Sequence, residues 1–212
     1  MNSVAEGLDS TSRADVMSAM RSGTRDLHER IEQRIRPAEA LGDIDSYRRL
    51  LERYAAYYRC FEEIVRRDRF IVREFGSERL EKSKWLRNDL RELNEAVPVV
   101  GDQRSSAEEL TLPDFPTRSH LIGGMYVLEG ATLGGQVLLR RYGPPRGLPE
   151  GAAVRFFEGY RDATGMMWQA FSQTACRLVE AEAEIAAAVD SARATFSSFG
   201  DWVVPNQLVT QQ

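Results

Sequence analysis

An all-α, single-domain fold is what this sequence predicts, and three observations predict it. Apolar residues recur at helical spacings along almost the whole chain. No stretch shows the apolar–polar alternation of a strand, and the breaks between periodic segments carry proline or glycine. A length of 212 residues suits one domain with room for a buried core. The folded domain is expected over residues 12–204, with a disordered N-terminal tail at 1–11 and a flexible C-terminal tail at 205–212.

The first helix is expected over residues 12–36, where Val16, Met20, Leu27, Ile31 and Ile35 recur at spacings of three, four and seven before Pro37 stops the run. A second is expected over 45–75, capped by Asp43 or Asp45 and ended at Gly76. Its apolar stripe of Tyr47, Leu50, Leu51, Tyr54, Tyr58, Phe61, Ile64 and Val65 predicts a core face. Ser77 reads as the cap of a third helix over 78–95, which Pro98 ends. Residues 98–116 hold three prolines and read as a loop with one helical turn near 105–110. Thr117 caps a glycine-bearing helix that runs to Tyr142, where Gly143-Pro144-Pro145 terminates it. An aromatic segment, Phe156-Phe157-Glu158-Gly159-Tyr160, leads into two last helices, 164–176 and 178–203.

Composition narrows the function. With 42% hydrophobic and 28% charged residues, the chain has the make-up of a soluble globular protein. A net charge of −4 gives no bulk electrostatic case for nucleic acid. No apolar run approaches the roughly 18 residues a membrane helix needs. The polar N-terminus lacks the basic and apolar regions of a secretory signal. Cys60 and Cys176 fit no metal spacing and read as buried thiols in a reducing cytoplasm, although two cysteines are also enough for one pairing.

The glycine-bearing helix is the most informative part. Gly123, Gly124, Gly130, Gly134 and Gly135 fall within one helical segment. Each interior glycine costs about 1 kcal/mol relative to alanine, so the set costs roughly 4–5 kcal/mol. That expense points to a kinked backbone or one that lies close to a flat, bulky group; tight helix–helix packing would use glycines as well. The run Leu128-Glu129-Gly130-Ala131-Thr132-Leu133-Gly134-Gly135-Gln136 resembles the distal helix of the heme oxygenases. The pattern Arg21…His28…Glu32 resembles their proximal helix, which carries the axial histidine. The two motifs stand in the family's order, about a hundred residues apart, and the likeness spans nearly the whole chain.

The resemblance implies a helical bundle with heme between a proximal and a kinked distal helix. Heme would be both cofactor and substrate, cleaved with O2 and electrons to biliverdin, carbon monoxide and free iron. His28 becomes the axial ligand of the heme iron, its ring expected to face the core side beside Leu27 and Ile31. Glu32, one turn on, would fix the ring's tautomer. Arg21, two turns back and about 10 Å along a helix axis, suits a heme propionate. Gly130, Gly134 and Gly135 match the distal glycines, and Gly130 and Gly134, four apart, open one helix face. Arg161 matches a second propionate contact, and Phe157 and Phe196 are candidates for the heme wall. Glu129 reads as structural or surface, and His120 as a capping or surface histidine.

One departure matters. Many family members carry an aspartate directly after the first distal glycine, whereas this chain has Ala131. Small residues there resemble a bacterial branch that includes oxygenases paired with phytochromes. The expected partners are an external reductase or ferredoxin and a bilin-binding photoreceptor. The missing acid keeps a second reading open, a non-catalytic heme carrier of the same fold. A helical interaction module is a third. A diiron oxidase is disfavoured, since two histidines and no Glu-x-x-His repeat offer too few ligands.

Overall fold

The aromatic stripe decides where the core sits. The computed structural model describes residues 15–35, 41–97, 110–149 and 151–204. Among these residues lie eight α-helices and no strand: α1 (Val16–Gly23), α2 (Arg25–Ile35), α3 (Ile44–Arg67), α4 (Arg69–Phe75), α5 (Lys82–Ala96), α6 (Arg118–Tyr142), α7 (Thr164–Leu178) and α8 (Glu182–Val203). On α3, Tyr47, Leu51, Tyr54, Tyr58, Phe61 and Val65 are buried. Their rings meet Phe156, Phe157 and Phe199 at centroid separations of 5.1–6.3 Å. Three phenols end on partners, as buried tyrosines require: Tyr47 donates to Ala153 O, Tyr58 donates to Leu128 O, and Tyr57 pairs with Ser198. α3 packs chiefly on α5, while α8 forms a floor on which α1, α2 and α6 all rest.

Several boundaries differ from the sequence expectation, each for a local reason. The first helix is two, broken at Thr24 rather than continuous. Thr24 Oγ1 donates to Met20 O at 2.7 Å and its carbonyl accepts from His28 N, so it ends α1 and begins α2. The second helix is also two. Asp68 leaves the α region and its carboxylate accepts from Phe70 N and Ile71 N, starting α4 anew. Ser77 makes no side-chain cap; residues Ser77–Leu80 form a 3₁₀ turn and α5 starts at Lys82. The break before α8 falls at 179–181, not at 177. Asp43 does cap α3, and Gly76 and Gly143 close α4 and α6 with φ of 91° and 75°, the left-handed region that suits glycine. The turn expected near 105–110 and both tails fall, but for Leu110, outside the described residues.

Cys60 and Cys176 are free thiols, partly exposed rather than buried, on α3 and α7. Burial still pushes the Cys176 thiol above its ordinary value. No helix among the described residues is long and apolar enough to cross a membrane.

α6 runs as one uninterrupted helix through all five glycines, so no break marks the expected kink. Three of its carbonyls take side-chain bonds: His120 O from Ser191 Oγ at 2.7 Å, Leu128 O from Tyr58, and Glu129 O from Thr132 Oγ1 at 2.7 Å. Gly123 and Gly124 are packing glycines. A Cβ on Gly123 would overlap the backbone of Ala188 and stand 3.0 Å from Ala192 N, and one on Gly124 would lie 2.7 Å from the rings of Phe61 and Phe115. A Cβ on Gly134 meets nothing within 4 Å. Gly123→Ala is therefore expected to destabilise the protein by about 1–3 kcal/mol through overpacking. Gly134→Ala should stabilise it by up to about 1 kcal/mol through helix propensity. Urea unfolding of the two variants checks this, and the reverse order would contradict it.

Candidate functional site

The proximal side is built by α1 and α2. Leu27 takes the buried position and Ile31 a half-buried one, so His28, about 100° further round the helix, stands at the edge of the core rather than facing into it. Its side chain is 57% exposed. The ring meets Phe196 of α8 edge-on at 5.8 Å. His28 Nδ1 lies 3.6 Å from Glu32 Oε1, too long for a hydrogen bond but close enough to attract the N–H, which leaves Nε2 for a ligand. Arg21 is exposed on α1, on the far side of the Thr24 break, so the two-turn spacing from His28 along one straight axis does not apply.

The distal side is α6. Gly130 and Gly134 are the open glycines: a Cβ on Gly130 would meet only the Trp168 ring, at 3.8 Å, and one on Gly134 nothing. Gly135 is buried, with Phe157 backbone 3.2–3.3 Å from its Cβ position, and so serves packing. Tyr126, one turn before Gly130, is half-buried, and the nearby Thr24 hydroxyl and Arg21 charge favour its ionised form. Burial nevertheless pushes that phenol above its ordinary value. Trp168 of α7 completes the wall, 5.7 Å from Tyr126 and stacked on Phe171 at 5.6 Å. Ala131 is partly exposed.

The other expected residues are dispersed. Phe157 is 1% exposed inside the core, behind α6. Arg161 has a φ of 54° and its Nε donates to Glu158 at 2.9 Å. It lines a cleft of about 390 Å3 with Lys84, Trp85, Asn88 and Arg155, a set that does not include His28. Gln136 ties this turn to α6, its amide donating to Glu158 O, Arg161 O and Thr164 Oγ1, each at 2.9 Å. His120 is a capping residue, its Nδ1 2.7 Å from Thr117 Oγ1.

Behind the helix lies a buried charge cluster that no periodic pattern in the sequence marks. Glu129 is 4% exposed and faces away from the open glycines. Its carboxylate accepts from Arg79 Nη1 at 2.8 Å and from Lys82 Nζ at 2.5 Å, with Tyr160 Oη at 3.2 Å. Lys82 also donates to Tyr160 Oη and Arg79 O. Burial, reinforced by the Glu129 charge, holds the Tyr160 phenol far above its usual range. Asp89 anchors the aromatic segment, accepting from the backbone N–H of Arg155 and Phe156 at 2.8 Å each. Burial pushes its carboxyl up to about 6 against those two bonds.

The sequence model of the family described as Heme oxygenase matches residues 14–204. No curated protein sequence matches the chain. The solved structure of the heme oxygenase from Leptospira interrogans superposes with a TM-score of 0.69 at 19% identity, over 90% of this chain and 99% of that one, a likeness of fold. With its family match spanning both the proximal and the distal helices, the chain belongs to the heme oxygenase family.

Proposed function

We propose that this protein is a heme oxygenase that cleaves heme, with O2 and electrons, to biliverdin, carbon monoxide and free iron. The observation that carries the reading is the accessible edge of the His28 ring, 57% exposed, beside Phe196 and within 3.6 Å of Glu32. It rests as well on the division among the glycines, since Gly130 and Gly134 have almost nothing packed on them. The chain's residues fit heme on chemical grounds: an accessible imidazole nitrogen on one side, backbone without side chains on the other, and aromatic walls between.

Heme as substrate supplies the redox iron and the macrocycle that is cut. His28 holds the iron through Nε2, with Glu32 favouring the proton on Nδ1 and the Phe196 edge steadying the ring. Gly130 and Gly134 let the α6 backbone approach the opposite face, while Gly135 and Phe157 back the helix from behind. Arg21 and Arg161 offer cations for the propionates, Arg161 by exchanging its bond to Glu158. Ala131 provides no acid, so proton delivery falls to water held by backbone carbonyls and by the Tyr126 and Thr24 hydroxyls. Burial keeps the Tyr126 phenol protonated and able to donate. The electron donor is a separate reductase or ferredoxin. Ala131 also aligns the chain with the bacterial, phytochrome-associated branch, a cytoplasmic setting in which a bilin-binding photoreceptor takes the product.

Ala131 favours one other reading, a heme carrier that does not turn over. Hemin titration followed by reductant and air separates the two. A strong Soret band, lost or shifted in His28→Ala, is expected, and a broad bilin band should grow as the Soret decays. A complex that never bleaches with a protein reductase present would establish the carrier, and the absence of a specific band would refute both. Gly134→Leu fills the open face and is expected to impair heme uptake or turnover. Unchanged turnover in that variant would contradict the placement of Gly134 over the heme.

A further inference from the structure

Among the residues of α2 whose burial is described, Leu27 is buried and Ile31 half-buried, a narrow apolar footing. What fixes it lies on α8. The Arg193 guanidinium grips Asp26 with both arms, Nη1 to Oδ1 at 2.8 Å and Nη2 to Oδ2 at 3.1 Å, and also donates to Gly23 O across the Thr24 break. At the other end, Arg34 donates to Asp201 Oδ1 at 2.7 Å and to Val204 O at 2.6 Å. Asp26 and Arg34 are eight residues apart, as are Arg193 and Asp201, a span of about 12 Å on each helix. The two helices therefore run parallel and are clamped in register by a pair of ion pairs of opposite polarity. Between the clamps, His28 meets Phe196, and Ile31 lies 3.4 Å from the Cβ position of Gly200. A slip of α2 by one turn would break both pairs and carry His28 off Phe196.

We infer that Arg193, with Arg34 as its counterpart, is a positioning residue that sets the register of α2 and thereby aims His28 at its ligand. The inference rests on the heme reading above. The pairs lie at or near the surface, Arg34 being half-buried, where such bonds add at most about 1 kcal/mol of stability, so their main contribution is to geometry.

The test uses the full chain and two readouts. In the heme-free protein, Arg193→Ala should speed amide exchange across α2 by about three- to fivefold while α3 stays unchanged. In the ferrous heme complex it should shift or weaken the iron–histidine stretching band in resonance Raman. Arg193→Lys, which keeps the charge but loses the fork, should fall between Arg193→Ala and the native protein in both. Native exchange rates and a native band in Arg193→Ala would overturn the inference. A native complex without an iron–histidine band would overturn the heme reading instead, and the exchange data would still decide the clamp.

Discussion

One buried carboxylate governs how the distal helix presents itself. Glu129 is held by Arg79 and Lys82 in the protein interior, with Tyr160 closing the cluster. Taking these charges out of water is costly, and removing one partner would cost about 3–5 kcal/mol because the others would be left uncompensated. Such a cluster adds less to net stability than to uniqueness of arrangement. Successive residues on a helix are 100° apart. Locking Glu129 inward therefore turns Gly130 and Gly134 about 100° and 140° away from it, to a side where almost nothing packs on them. Rotating α6 would drag a carboxylate out of its paired environment, so the direction of the glycines is fixed from behind.

The same cluster links the elements that carry the rest of the site. Arg79 lies in the 3₁₀ turn before α5, Lys82 at the start of α5, and Tyr160 in the aromatic segment. Asp89 on α5 grips that segment by its backbone, and Gln136 ties its far end to α6. The five glycines then divide their labour. Gly123, Gly124 and Gly135 let α8, two phenylalanines and the aromatic segment close on α6, while Gly130 and Gly134 remain clear. The packing reading that the sequence offers for glycines in a helix holds at the first three.

The long helices, the α3 stripe and the glycine helix with its Thr117 cap are legible in the sequence because local periodicity and capping chemistry specify them. The break at Thr24 is not, since Val16, Met20, Leu27 and Ile31 keep helical spacing straight through it. Tertiary contacts impose that break: Gly23 packs on Val189, and Arg193 takes the Gly23 carbonyl. As candidates, His28 and the distal glycines are legible through motif and order, and so is the placement of His120 at the Thr117 cap. Arg79, Lys82 and Tyr160 are not, because a charged residue on a helical pattern reads as solvent-facing unless its partner 50 residues away is known. Trp168 and Tyr126 escape for a similar reason, since an aromatic at helical spacing looks like ordinary core. Arg161 shows the limit of motif matching. The sequence places it beside a tyrosine, whereas a left-handed backbone and a bond to Glu158 decide where its guanidinium rests.

The central claim is that Glu129, paired behind α6, aims Gly130 and Gly134 at a heme whose iron His28 holds. A crystal structure of the hemin complex, with the iron located by its anomalous signal, tests this most directly. The account predicts iron bonded to His28 Nε2, the α6 backbone at Gly130 and Gly134 over its opposite face, and Glu129 still paired with Arg79 and Lys82. Iron held away from His28, or Glu129 released from its cations to face the heme, would contradict it.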